Sequence, residues 1–208
     1  MELIKILYIT GGMKMNEIKE KIISLLQITN RVPGSFFDYL EEIRFWTMPC
    51  SGGNHLSIEG GLAEHSLNVY NRMNDVSFAW LTADQLKEYA NSIIITSLLH
   101  DVGKCGQFGK PGYVPNILKG GKISIPKPFV VNKNLLNVPH EIRSIQMISN
   151  FLDLTEEENF AILYHNGLYS GLKYELQGNE TPLYMLLHFS DMWCSRVDEK
   201  HGNAEGEE

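Results

Sequence analysis

The chain has 208 residues, 43% of them hydrophobic, which suffices for one buried core. Its 25 acidic against 18 basic side chains leave a net charge of −7, which excludes the broad positive footprint of a duplex nucleic-acid binder; a small anionic substrate would need local positive charge, such as a metal. Cys50, Cys105 and Cys194 are odd in number and form no CxxC pair, against a disulfide framework or a zinc knuckle, and no apolar run approaches the roughly 20 residues that span a bilayer.

With no basic start or cleavage site of a signal peptide at Met1, a cytoplasmic location and no membrane partner are expected. Met1 to Thr10 is apolar and reads as a short strand within an N-terminal extension over residues 1–15. The paired glycines Gly11-Gly12, whose codons can resemble a ribosome-binding sequence, also allow a translation start at Met13 or Met15; an intact mass beginning at Met1 would refute that.

From Asn16, a candidate N-cap, the positions Ile18, Ile22, Leu25, Leu26 and Thr29 follow helical spacing. A second helix is expected over Ser35 to Thr47, burying Phe36, Leu40, Ile43 and Trp46. The glycine-rich stretch Cys50 to Gly61 breaks the periodicity, and a helix resumes at Leu62 with Leu62, Ser66, Val69 and Met73 on one stripe and His65 beside it.

Thr82-Ala83-Asp84-Gln85 reads as a capping box, opening a helix with Leu86, Ala90, Ile93, Ser97, His100 and Asp101 on its inward face and Gly103 at its end. Cys105 to Pro139 is rich in glycine and proline, and Ile117 to Ile123 within it suggests a small hairpin or irregular lid. Helical patterning returns over His140 to Leu152. A second capping box, Thr155 to Glu158, leads to His165 before Gly167.

Thr181-Pro182 then opens a helix through Asp191 towards Val197. The acidic tail at residues 201–208 is expected to be disordered. The fold class expected is all-α, a single helical domain over residues 16–200 with a small lid insertion.

Imidazole and carboxylate side chains are the usual ligands of a hydrolytic divalent metal, and this chain places His65, His100, Asp101, His140, His165 and Asp191 on or beside apolar stripes. Neighbours on a helix point about 100° apart, so His100 and Asp101 can straddle one ion. Lys104 falls on the same side, where its ammonium can meet a phosphate oxygen or simply complement the helix dipole.

The segments Gly60-Gly61-Leu62-Ala63-Glu64-His65 and Leu98-Leu99-His100-Asp101-Val102-Gly103-Lys104, followed by Asp191, resemble the H...HD...D signature of the HD-domain superfamily of metal-dependent phosphohydrolases. Pro139 to Ile145 and Tyr164-His165-Asn166-Gly167 resemble the intermediate histidine segments of its two-metal members, so the likeness covers residues 50 to 197. Asn54-His55 resembles exoribonuclease-like members, whereas Gly112-Tyr113-Val114-Pro115 only approximates the Gly-Tyr-Pro motif of the cyclic-dinucleotide enzymes.

The resemblance implies an HD-domain helical bundle in which His65, His100, Asp101 and Asp191 hold a divalent iron, manganese, nickel, zinc or magnesium ion. Asp101 would bridge to a second ion completed by His140 and His165. It also implies hydrolysis of a phosphomonoester or phosphodiester in a nucleotide, cyclic dinucleotide or short oligonucleotide. Asp101 and Lys104 are the catalytic candidates, Lys104 and Arg143 the substrate contacts, and a homodimer is compatible with the family.

Some assignments stay open. His55 and His188 read as structural histidines, His188 with a second use in orienting a neighbour. Arg143 fits either a surface ion pair or a phosphate contact. Phe108, Tyr113 and Phe129 fit packing or base stacking. The rivals to the hydrolase are a di-iron HD-type oxygenase and a non-catalytic module that senses a nucleotide.

Overall fold

The structure, a computed structural model, describes residues 13–169, 171 and 173–199. The expected strand at Met1 to Thr10 and the acidic tail at 201–208 lie outside the described residues. Among the described residues, eight α-helices carry the fold: α1 Met15–Ile28, α2 Gly34–Glu42, α3 Gly61–Trp80, α4 Ala83–Leu99, α5 His140–Ile148, α6 Glu156–Tyr164, α7 Lys173–Leu176 and α8 Pro182–Trp193. None of the described helices is long and apolar enough to cross a membrane.

The chain is mostly helical, yet all-α is not accurate. Two antiparallel pairs lie in the insertion: β1 Gly106–Gln107 with β2 Lys110–Pro111, and β3 Tyr113–Pro115 with β4 Phe129–Val131. A bridge between Ile117 and Ile123 forms the expected hairpin. Glycine and proline deny this stretch a helix, and strand pairing satisfies backbone groups that would otherwise be left without partners.

Local chemistry sets the helix ends. Thr82 and Thr155 cap α4 and α6, their hydroxyls accepting from Gln85 and Glu158 N–H at 3.3 and 3.2 Å, as the sequence predicts. α1 begins one residue earlier than Asn16, with Glu17 accepting the Lys14 N–H at 3.2 Å, and Asn16 lies inside the first turn. α2 stops at Glu42 rather than Thr47, because Arg44 adopts a left-handed φ of 60° that no α-helix accommodates. Phe45 and Trp46 are buried from that turn instead.

Ala90 is exposed, so the inward face of α4 starts at Ser92. Gly103 does not end α4: the helix stops at Leu99 and a 3-10 turn, Val102–Cys105, contains the glycine. α5 ends at Ile148, short of Leu152, and α8 passes at Cys194 into a π-helical turn, Cys194–Asp198.

Two apolar clusters form the core. The first gathers Ile22, Leu26, Phe36 and Leu40 against Leu62, Leu67, Ile95, Leu98 and Leu99. The second sets Val69 and Met73 against Leu183, Leu186 and Leu187. α3 and α4 contribute to both, which leaves them the rigid centre from which the site is built. Burying each of these side chains contributes about 1.5–3 kcal/mol.

One close approach matters for the site. A Cβ on Gly103 would lie 2.2 Å from the His140 carbonyl oxygen and 2.7 Å from Ser144 N, while the Gly103 N–H donates to Ser144 Oγ at 2.8 Å. Glycine here lets α5 press against the turn that follows α4, bringing His140 to Asp101. Gly103→Ala is expected to destabilise the fold by about 1–3 kcal/mol in urea unfolding and to weaken divalent-cation binding as His140 is pushed outward. An alanine variant with wild-type affinity and stability would contradict this packing.

Candidate metal centre

His65 sits in the first turn of α3, His100 just past the end of α4, Asp101 before the 3-10 turn, His140 at the start of α5, His165 just past α6, and Asp191 within α8. Six side chains from five elements thus converge. His65 Nε2 lies 3.1 Å from Asp191 Oδ1 and 3.6 Å from Asp101 Oδ2, and His100 Nε2 lies 3.4 Å from Asp101 Oδ2. On the other carboxylate oxygen, His140 and His165 place Nε2 at 3.1 and 3.5 Å from Asp101 Oδ1.

The outer nitrogens explain this orientation. His100 Nδ1 lies 2.9 Å from the Ser97 carbonyl and His165 Nδ1 2.7 Å from the Ile162 carbonyl. A carbonyl only accepts, so Nδ1 carries the proton in both and each Nε2 lone pair faces inward. His65 Nδ1 is held the same way by Glu199 at 2.9 Å, and His140 Nδ1 lies 3.2 Å from Glu141 Oε2.

The inner atoms test whether a cation fits. His65 Nε2, His100 Nε2 and Asp101 Oδ1 are buried without any hydrogen-bond partner. Such groups each cost about 1–3 kcal/mol when left so, and an electron-pair acceptor among them removes that cost. The groups His65/His100/Asp101, His100/His165/Asp191 and Asp101/His140/His165 each hold their ligand atoms within 4.8 Å of one another. Nitrogen and carboxylate donors suit a divalent transition metal.

Opposing charges set the electrostatics. Burial alone would raise the pKa of Asp101, but the Lys104 ammonium in contact with its Oδ2, together with His100 and His140, holds this carboxyl well below its ordinary range. Burial likewise opposes ionisation of Asp191, and His65 overcomes it, keeping the carboxyl low. His65 is held well above the usual imidazole range: burial pulls it down, yet Cys50, Glu199 and Asp191 outweigh that. Lys104 is also raised, burial being outweighed by Asp101 and Cys50. Burial pushes the Cys50 thiol up, while His65, Lys104 and His55 bring it down to about 6.

A cavity of about 440 Å³ opens onto this cluster, lined by Lys104, His165 and Asp191 together with Asn166, Tyr169 and Arg196. Arg196 lies over the Tyr169 ring at 4.9 Å. A smaller cavity of about 190 Å³ reaches Lys104 and His140 from the side of the insertion. Lys104 therefore stands between the two openings.

Arg143, 3% exposed, does not make the surface ion pair that is one of its two expected uses. Its guanidinium donates to Gln107 Oε1 at 2.9 Å and to the Leu136 carbonyl at 3.0 Å, tying the insertion to α5 beside the smaller cavity. Tyr113 is half-buried against the core, whereas Phe108 is 78% exposed.

Four neighbours of the cluster were not among the site residues read from the sequence. Glu199 closes the π-helical turn and reaches His65 Nδ1 and, at 3.0 Å, Asn68 Nδ2. Cys50 Sγ and His55 Nε2 lie 3.2 Å apart beside His65. Asn166 Nδ2 lies 3.4 Å from His140 Nε2. His188, read as structural, holds the His165 carbonyl with Nδ1 at 2.7 Å and so helps position that residue.

The described fold and centre define a mostly helical protein with a buried histidine and aspartate cluster able to hold a metal ion, compatible with an HD domain. No family model, curated protein or solved structure matches the chain.

Proposed function

We propose that the protein is an HD-type, metal-dependent phosphohydrolase acting on a phosphomonoester or phosphodiester of nucleotide size. The observation that carries this reading is the convergence of four imidazole Nε2 atoms and the Asp191 carboxylate around Asp101, with the outer nitrogens held by carbonyl and carboxylate oxygens. His65, His100, Asp101 and Asp191 would hold one ion of iron, manganese, nickel, zinc or magnesium, and Asp101, His140 and His165 a second. A divalent cation bound there supplies Lewis acidity and acidifies a coordinated water.

The chain's own residues do the rest. Lys104 lines both cavities with its ammonium against Asp101, where it would neutralise charge that builds on a phosphoryl group. Asp101 Oδ1 has no hydrogen-bond partner, and as a carboxylate held in its ionised form it can accept a hydrogen bond that orients an attacking water. The larger cavity lies within the roughly 300–1,000 Å³ of small-molecule sites, and its Tyr169 and Arg196 offer a flat rim to a base.

The test is a screen of nucleotides, cyclic dinucleotides and short oligonucleotides with metals added under anaerobic conditions. Phosphate or nucleotide release is expected with manganese or another divalent ion, and Asp101→Ala is expected to abolish it. Turnover unchanged by that substitution would defeat the assignment. Oxygen consumption by iron-loaded protein on a phosphate-free substrate, with no phosphate release, would favour an oxygenase instead.

A further inference from the structure

Beside the six ligand candidates of the HD pattern stands a second group that the pattern does not contain. Cys50 and His55 come from the loop before α3, and with His65 their ligand atoms all lie within 4.8 Å of one another. Cys50 is fully buried, and its Sγ lies 3.2 Å from His55 Nε2. The His55 and His65 ring centroids are 5.2 Å apart.

The loop is built to hold this arrangement. Ser51 Oγ accepts from the N–H groups of Asn54 at 2.9 Å and His55 at 3.0 Å and contacts the His55 carbonyl at 2.7 Å. The Cys50 N–H donates to the Leu56 carbonyl at 3.1 Å, closing the turn. A Cβ on Gly61 would lie 2.1 Å from that same carbonyl, so only glycine at the head of α3 lets the loop fold down onto His65.

One further observation points to a cation: His65 Nε2 is fully buried and lacks a hydrogen-bond partner. Lys104 Nζ stands 3.8 Å from Cys50 Sγ, where its positive charge favours the thiolate, the form of the sulfur that binds metal. His55 lines the larger cavity, which gives an ion a route in from solvent.

We propose that Cys50 and His55 add a sulfur and an imidazole to the ligands around His65, so that the cation held there is a thiophilic one of the zinc class rather than magnesium. The sulfur binds as thiolate, its proton passing to solvent on ion uptake. Hard magnesium favours oxygen ligands and ideal octahedral geometry, whereas sulfur and imidazole favour zinc and its neighbours. The inference rests on the metal-dependent reading above and specifies the ion of that site.

The test titrates the purified full chain with cobalt(II), and separately with cadmium(II), to saturation while recording the near-ultraviolet spectrum. A sulfur-to-metal charge-transfer band is expected in the wild type. Cys50→Ser should lose the band and weaken cadmium binding by at least 10–100-fold, the range that loss of a supporting contact alone costs. Cys105→Ser and Cys194→Ser should keep it.

Cobalt bound without that band in the wild type overturns the proposal and leaves the hydrolase reading standing, and this outcome needs no variant to fold. A band that persists in Cys50→Ser also overturns it. Failure of the wild type to bind either ion overturns this proposal and the hydrolase reading together.

Discussion

Stripping divalent cations from the protein is expected to lower its melting temperature by roughly 5–15 °C, and Asp101→Asn is expected to erase most of that difference. An ion present at 100 to 1,000 times its dissociation constant contributes about 2.7–4.1 kcal/mol to the folded state. In a domain of this size each 1 kcal/mol moves the midpoint by roughly 2–4 °C. The contribution has a visible origin: His65 Nε2, His100 Nε2 and Asp101 Oδ1 are buried and unpaired, and nothing in the unfolded chain gathers them.

Asparagine keeps the shape of Asp101 but removes the charge that four imidazoles share. Calorimetry with chelator, and then with manganese or zinc restored, reads the shift directly. Equal midpoints in chelator and in saturating metal would mean that these side chains hold no ion, and the functional reading would go with them.

The parts of this site that could be read from sequence are those carried by local periodicity. His65, His100, Asp101 and Asp191 occupy helices or helix ends whose caps and apolar stripes are written within a few residues, and Thr82 and Thr155 announce where α4 and α6 begin. Glu199 was beyond reach for the opposite reason. It meets His65 across 134 residues, and it points there only because α8 relaxes into a π-helical turn whose register differs from the 3.6-residue repeat.

Cys50 and His55 lie in a glycine-rich loop with no period to align them, and only the folded chain shows that the loop closes over α3. The insertion is a partial case: the hairpin around Gly120-Gly121 was readable, but the pairing of Tyr113–Pro115 with Phe129–Val131 further from that turn had no alternating pattern to announce it. The end of α2 at Arg44 had no signal either, since a non-glycine residue with positive φ is rare. Arg143 shows a limit of another kind. Its place on α5 was readable, but whether a guanidinium meets solvent, phosphate or a loop carbonyl depends on where the insertion lies.

Arg31→Ala is expected to destabilise the fold by about 3–5 kcal/mol at neutral pH, with an effect that fades in acid. Arg31, in the connection from α1 to α2, donates to Glu158 Oε1 at 2.6 Å and Oε2 at 2.8 Å, and to the Asp153 carbonyl at 2.7 Å. The Glu158 carboxylate is fully buried and also accepts from Ser92 Oγ at 2.7 Å and the Thr155 N–H at 2.9 Å. Removing the guanidinium leaves a buried anion with neutral donors only, while the remaining bonds keep the cost towards the lower end of that range.

Burial would raise the Glu158 pKa, but Arg31, Thr155 and Ser92 hold it below the ordinary value of 4.5. A carboxyl lowered in the folded state contributes stability that is complete above the unfolded pKa and is lost as pH falls through the folded one. The gap in unfolding free energy between wild type and Arg31→Ala should therefore be constant from about pH 6 upward and narrow below about pH 4.5. Urea unfolding of both proteins at pH 7, 5 and 3.5 decides it. A gap that stays the same across the acid range would show that Arg31 stabilises this junction through packing of its aliphatic stem rather than through its charge on Glu158.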